Sequence, residues 1–441
     1  MNKRRVVVLD VVGLQLEHLE RPDLTPNIRR LVQQGTMAAM RPPFPAVTLP
    51  VQATLTTGTL PAEHGVLANG FFTPEEYRVS FWEQAASLVQ RPRLWQRLRQ
   101  ERPGTRTAAL FLQNTLFADC DVIVTPKPLH SDDGMIQWCY SKPVGYYEEL
   151  CETLGEFNLM HYWGPLAGIA SSRWIAGAAV ETMKRQRPEL MLVYLPHLDY
   201  NMQRLGPSHP EIGRDVALID AEVGRIVQAV EEMGLGGETT FVVLSEYRFY
   251  DVAGDVPLNR ILRRHGLLAV RTIAGREYLD IEMSPAFAMV DHQLAHVYVR
   301  EGYRERVEQV LAATAGIDRV LDRAGRKALG IDHPRAGDLV AVADKDRWFS
   351  YYWWEDRARE PPFARHVDIH GKPGYDPLEL FFDPASRSVP QETSLIKGSH
   401  GYPPSASEGL VPLVLSAPVP LAQRVVGAEE VAALLAGLLS G

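Results

Sequence analysis

A chain of 441 residues, 46% hydrophobic and 23% charged, can bury a large core, either as one domain with an insertion or as two domains. A formal charge of −8 excludes the broad basic face that a nucleic-acid polymer requires, and no apolar run approaches the ~18 residues of a membrane span. The three cysteines, Cys120, Cys139 and Cys151, are odd in number and lack metal-ligand spacing, so they read as reduced thiols of a cytoplasmic protein.

The opening MNKRRVVVLDVVG has the basic start of a leader peptide. Asp10 cuts its apolar run and no small-residue cleavage site follows, so 4–10 reads as a buried strand ending on a carboxylate. Over 24–35, Thr25 reads as a helix cap, Pro26 as the first helical residue and Gly35 as the stop. In FPAVTLPVQATLTTG (44–58) the pattern turns helical just after Thr48. A threonine there is either an ordinary cap or a nucleophile presented at a strand-to-helix turn, and the local sequence leaves both open. Short β-rich runs at 105–111, 121–124, 189–195 and 239–247 alternate with helical patterns. The clearest helix, 211–233, lines up Ile212, Val216, Ile219, Val223, Ile226, Val227 and Val230 on one face.

This alternation predicts an α/β protein: a doubly wound, mostly parallel sheet with helices on both faces. After Pro257 the texture becomes that of a smaller α+β unit, and 410–416 and 428–439 then return as strand and helix. The core is therefore read as 1–257 with 396–441, and 258–395 as an inserted cap. RWFSYYWWED (347–356) is unusually aromatic; we read it as a strand packing the cap rather than as a platform for a planar ligand.

Three predicted strands end on or feed carboxylates: Asp10, Asp199 and Glu246. The carboxyl ends of parallel strands line the crevice where ligands bind. Carboxylates gathered there repel one another unless a cation lies between them, although each could instead cap a local turn.

At this point the arrangement becomes recognisable. VVVLDVVG, LTPNIRRLVQQGTMA and RPPFPAVTLPVQATLTTGTLPAEHGVLANGFF together resemble the alkaline phosphatase superfamily, most of all its nucleotide pyrophosphatase/phosphodiesterase branch, which includes phosphonoacetate hydrolase-like enzymes. The resemblance is dense over 5–70 and returns at 191–207, 241–247 and 398–402. It implies an alkaline phosphatase-like core and a two-metal site in which a threonine attacks phosphorus and is transiently phosphorylated. Asp10, Asp199 and His400 then match metal ligands, Thr48 matches the metal-bound nucleophile, and Asn69 the residue that steadies a phosphoryl oxygen.

The departures are specific. Gln203 stands where the family's Asp-x-x-x-His pair has its histidine, and SEYR replaces SDHG, so that Glu246 substitutes for Asp and Tyr247 for His. Two imidazoles are lost while the carboxylates remain, which favours one or two Mn²⁺ or Mg²⁺ ions over Zn²⁺. Asp368 and His370, two apart in an apparently extended Gly/Pro-rich segment, are the best candidates to compensate. His292 with His296, and His197, are weaker ones. The expected activity is metal-dependent hydrolysis of small phosphate (di)esters or phosphonates. A phosphomutase-type transferase, or a binding protein that kept the fold and lost part of the metal site, are the alternatives. Oligomeric state is not legible.

Overall fold

The apolar strand Arg5–Val11 runs through the middle of a nine-stranded sheet. The order across the sheet is Val425–Gly427, Thr36–Arg41, Val411–Leu415, Thr239–Leu244, Arg5–Val11, Leu190–Leu195, Thr107–Leu110, Val122–Pro126, Cys139–Lys142. The strands from Thr239–Leu244 to Val122–Pro126 are parallel, while Val411–Leu415 and Cys139–Lys142 run antiparallel to their neighbours. The computed structural model describes residues 4–131 and 134–440; Met1–Lys3, the basic start of the opening run, lie outside them.

Two sets of helices cover the sheet. Ile212–Glu232 packs against Pro26–Gln34, Ile169–Gln186 and His197–Leu205, and Ala428–Ser440 packs against Thr48–Thr57 and Leu94–Glu101. Coverage of this kind explains why the central strands are continuous apolar runs rather than alternating ones. All seven aliphatic residues predicted on one face of Ile212–Glu232 are buried.

The helix Pro26–Gln34 begins and ends where expected, but Thr25 does not cap it. Its hydroxyl donates back to the carbonyls of His18 and Arg21. The first turn is capped instead by Asp220, which accepts from the N–H groups of Asn27 (3.0 Å) and Ile28 (2.9 Å). Gly35 ends the helix because the chain passes against the neighbouring strand: a Cβ there would lie 2.0 Å from the Leu415 carbonyl oxygen.

A second hydrophobic cluster gathers residues of 252–396 around a four-stranded antiparallel sheet, Ala286–Asp291, Leu294–Val299, Leu339–Ala343 and Ile317–Leu321. Trp348, Phe349, Tyr351, Tyr352, Trp353 and Trp354 are all buried within it, so the aromatic stretch is packing. Ala68, Val79 and Phe81, from the first part of the chain, join the same cluster.

Candidate active site

Thr48 is the first residue of the helix Thr48–Thr57, and its side chain makes no capping bond. The Leu49 N–H is taken by the side-chain oxygen of Asn69 at 3.0 Å. With the cap supplied from elsewhere, the Thr48 hydroxyl is free to point out of the helix start, 3.2 Å from the hydroxyl of Tyr247. Tyr247 spends its single proton on Asp199 Oδ1 at 3.1 Å, so Thr48 is the donor to Tyr247. The fold dictates this meeting. Leu190–Leu195 and Thr239–Leu244 flank Arg5–Val11, and the residues that follow them bring Asp199 and Tyr247 to the two sides of Asp10.

The predicted ligands divide into two groups. In the first, Asp10 and Glu246 lie side by side, buried, next to Thr48. Gln52, one helical turn after Thr48, donates to Glu246 Oε1 at 2.7 Å and is itself held by the Gln113 N–H at 2.7 Å. Asp10 Oδ1 and Glu246 Oε2 have no hydrogen-bond partner. Burial pushes Asp10 up to about 7, against a smaller opposing effect of the neighbouring Glu246 carboxyl. Burial, reinforced by the Asp10 charge, holds Glu246 well above the usual carboxylate range.

In the second group both oxygens of Asp199 are engaged: Oδ1 by Tyr247, and Oδ2 by the Gln203 amide at 2.7 Å. Tyr375 donates to the Gln203 carbonyl at 2.8 Å and so fixes which end of the amide faces Asp199. Burial raises Asp199 to about 6, with the bonds from Tyr247 and Gln203 opposing it. His400 Nδ1 donates to the Ala46 carbonyl at 3.0 Å, which leaves Nε2 with its lone pair, 3.7 Å from Asp199 Oδ1. Its ring lies flat on that of Tyr247, centroids 3.6 Å apart, and burial lowers its pKa well below 6.5. Among the described residues, no three of His, Cys, Asp and Glu are placed to share one ion.

The compensating candidates fare differently. Asp368 and His370 line the same cavity as Thr48, but not as an extended pair. Asp368 accepts from the Gly371 N–H at 2.8 Å and closes a turn, and His370 bonds the Phe81 carbonyl at 3.0 Å. DHQLAH is a hairpin, not a helix turn, with His292 and Gln293 between the strands Ala286–Asp291 and Leu294–Val299. His296 is a packing residue, bonded to the Leu67 carbonyl and the Gly337 N–H. His197 lies 3.3 Å from Asp215, away from the cavity lining.

His292 does reach the site. It adopts φ +60°, bonds Asp291 at 2.8 Å, and its ring packs between Tyr375 and His400 at 3.7 and 3.8 Å. Asp291 also accepts both the backbone and side-chain N–H groups of Asn69, at 2.7 and 3.1 Å. Asn69 is thus committed at both ends of its amide, to the helix start and to the cap, rather than facing the cavity.

Sequence reasoning missed Gln52, Asp291 and Tyr375. Gln52 had a signal, since i and i+4 share a helix face. Asp291 and Tyr375 arrive from distant parts of the chain, 243 and 327 residues after Thr48, and carried no local signal. Thr48, Asp199, Tyr247, His292, Tyr375 and His400 line a cavity of about 340 Å³, whereas Asp10, Gln52, Asn69, Gln203, Glu246 and Asp291 lie behind its lining.

The profile of type I phosphodiesterases/nucleotide pyrophosphatases matches residues 6–376. An uncharacterized pyrophosphatase/phosphodiesterase of Schizosaccharomyces pombe is 21% identical over 278 residues, 62% of this chain and 49% of that protein. Ectonucleotide pyrophosphatase/phosphodiesterase 1 of Saccharomyces cerevisiae is 25% identical over 236 residues, 51% of this chain and 30% of its own. The match thus spans half or less of these curated relatives. The fold is similar to that of phosphonoacetate hydrolase from Sinorhizobium meliloti 1021 solved with phosphonoformate (TM-score 0.65, 15% identity, 99% of this chain and 96% of that one). It is also similar to murine ectonucleotide pyrophosphatase/phosphodiesterase 5 (TM-score 0.62, 16% identity, 99% and 95%). The family match runs through Thr48, Asp199, Glu246, Asp291 and Tyr375, and the chain belongs to the type I phosphodiesterase/nucleotide pyrophosphatase family.

Proposed function

We propose that this chain hydrolyses small phosphate esters or phosphonates by attack of Thr48 on phosphorus. One observation carries the reading. Thr48 sits at a helix start, its hydroxyl does no capping, and it faces a cavity. The helix N-terminus favours an anion at that point. Tyr247, which accepts from Thr48 and donates to Asp199, gives the proton leaving Thr48 a path to a buried carboxylate. The Thr48 oxygen bonds to phosphorus as the P–O bond of an ester, or the P–C bond of a phosphonate, breaks and the leaving oxygen or carbon takes up a proton; water then releases the phosphoryl group from Thr48. Asn69 serves by holding the helix start, and Asp291 by holding Asn69.

The donor chemistry fits one divalent cation rather than two. Asp10 Oδ1 and Glu246 Oε2 are buried, unpartnered and beside Thr48, an all-oxygen set suited to Mg²⁺ or Mn²⁺. Such an ion would neutralise the two carboxylates and lower the pKa of the neighbouring hydroxyl. The second half-site fits poorly, because Gln203 and Tyr247 already satisfy Asp199 and bring no imidazole.

That saturation of Asp199 also favours a second reading, a binding protein that retains the fold without turnover. An acid-quenched reaction with labelled substrate separates the two. The hydrolase reading expects label on Thr48, no turnover by Thr48→Ala and partial turnover by Thr48→Ser. Wild-type-like turnover by Thr48→Ala refutes it. Binding without turnover by the unsubstituted chain supports the second reading.

A further inference from the structure

The cavity in front of Thr48 is walled by large uncharged side chains. Trp82, Tyr162, Trp163, Met160, Pro126 and Ile369 face it from separate parts of the chain. Among the described residues that line it there is no lysine or arginine, whereas two carboxylates, Asp199 and Asp368, do line it. Two cations close by in sequence are committed elsewhere, while Lys127, between the lining residues Pro126 and Pro128, is exposed. Arg204 donates to the carbonyls of Gly164, Pro165, Ala167 and Leu380. Lys372 is buried against Asp376 and Glu379, at 2.8 and 2.6 Å.

The apolar wall is built, not incidental. Glu379, held by Lys372, accepts the Trp163 indole N–H at 2.6 Å and so aims that ring. Trp82 is held at φ +60°, a left-handed backbone that a bulky residue rarely adopts. Its N–H donates to the Asn69 carbonyl at 2.9 Å, which ties the wall to the same residue that caps the Thr48 helix. A strained aromatic residue locked against a ligand cavity marks a functional constraint. A volume of about 340 Å³ lies at the small end of ligand pockets, room for one modest organic group beside the phosphoryl.

Resting on the hydrolase reading above, we propose that this cavity selects substrates whose reacting phosphoryl group carries an uncharged apolar substituent, an aryl or short alkyl group. A substituent bearing a further phosphate or carboxylate is disfavoured. Such a group would bring negative charge up to Asp199 and Asp368 with no cation among the described lining residues to offset it, whereas an apolar group loses only its contact with water.

The test is calorimetric titration of the unsubstituted chain with n-alkylphosphonates from ethyl to hexyl, which have neither an ester to cleave nor a carbon able to leave as a stabilised carbanion, and of Thr48→Ala with propylphosphonate and phosphonoacetate, so that neither ligand is turned over. Affinity is expected to rise about fourfold per methylene until the cavity is full. Phosphonoacetate, one heavy atom larger than propylphosphonate and carrying a carboxylate, is expected to bind about tenfold or more weakly. Ile369→Lys, a cation placed in the wall away from Thr48, should narrow the gap between propylphosphonate and phosphonoacetate. A flat chain-length series, no binding of hexylphosphonate, or phosphonoacetate binding as tightly as propylphosphonate overturns the proposal. Turnover of alkyl p-nitrophenyl phosphates keeps the two readings apart. Chain-length-dependent binding without turnover removes the hydrolase and leaves the selective cavity. Turnover indifferent to chain length does the reverse.

Discussion

Asp10→Asn should stabilise the protein without metal, and only at neutral and alkaline pH. Asp10 is buried, one of its oxygens has no partner, and burial raises it from the ordinary 3.8 to about 7. A carboxyl whose folded pKa is raised contributes its full stability below the unfolded value and loses it as pH rises through the folded one. The window is therefore pH 4 to 7, with stability falling as pH rises. The full gap corresponds to about 4 kcal/mol, at 1.36 kcal/mol per pKa unit. Asparagine is isosteric, never ionises, and its amide can donate to Glu246. Variant and parent should be nearly equal at pH 4, and the variant should be the more stable by up to about 4 kcal/mol at pH 8. Urea unfolding in chelator across that range measures the difference, which includes the relief of Glu246 when the neighbouring Asp10 charge is removed; titrating groups that do not interact with Asp10 cancel between the two proteins. Added Mn²⁺ should stabilise the parent at pH 8 and not the variant. A difference independent of pH, or a less stable variant at pH 8, would refute the account of Asp10 as a strained buried acid.

Tyr247→Phe removes the hydroxyl that joins Thr48 to Asp199, at 3.2 and 3.1 Å, and leaves Asp199 with Gln203 alone as donor. We expect a loss of about 1–3 kcal/mol at pH 8 and less at pH 5, where Asp199 takes up a proton, read from the same unfolding curves. Lys372→Met leaves Asp376 and Glu379 buried together without their shared cation. It should cost about 3–5 kcal/mol and, through Glu379, alter Trp163 emission; unchanged stability would mean that the two acids are not ionised.

Much of this protein is decided locally and could be read from residue order alone. Continuous apolar runs ending on Asp10 and before Glu246, separated by helical periodicity, are sufficient for a parallel sheet with acids at its carboxyl edge, because a strand buried on both faces admits no polar alternation. Pro26 marks a helix start because backbone geometry leaves few alternatives there, whereas Gly35 is required at the helix end by the approach of Leu415 from a distant strand. Hydrogen-bond partnership is not decided that way. Thr25 and Thr48 both sit at helix starts with hydroxyls suited to capping, yet neither caps, because Asp220 and Asn69 arrive from distant segments and take the N–H groups first. The same competition divides the predicted ligand set. Gln203 and Tyr247 are visible substitutions in the chain, but only folding shows that they saturate Asp199, while Asp10 and Glu246 keep unpartnered oxygens. His292 and Tyr375 reach the site from a separate core, where spacing along the chain carries no information about distance in space. Propensity and periodicity act over a few residues, whereas a buried polar group takes whichever partner the tertiary structure brings nearest.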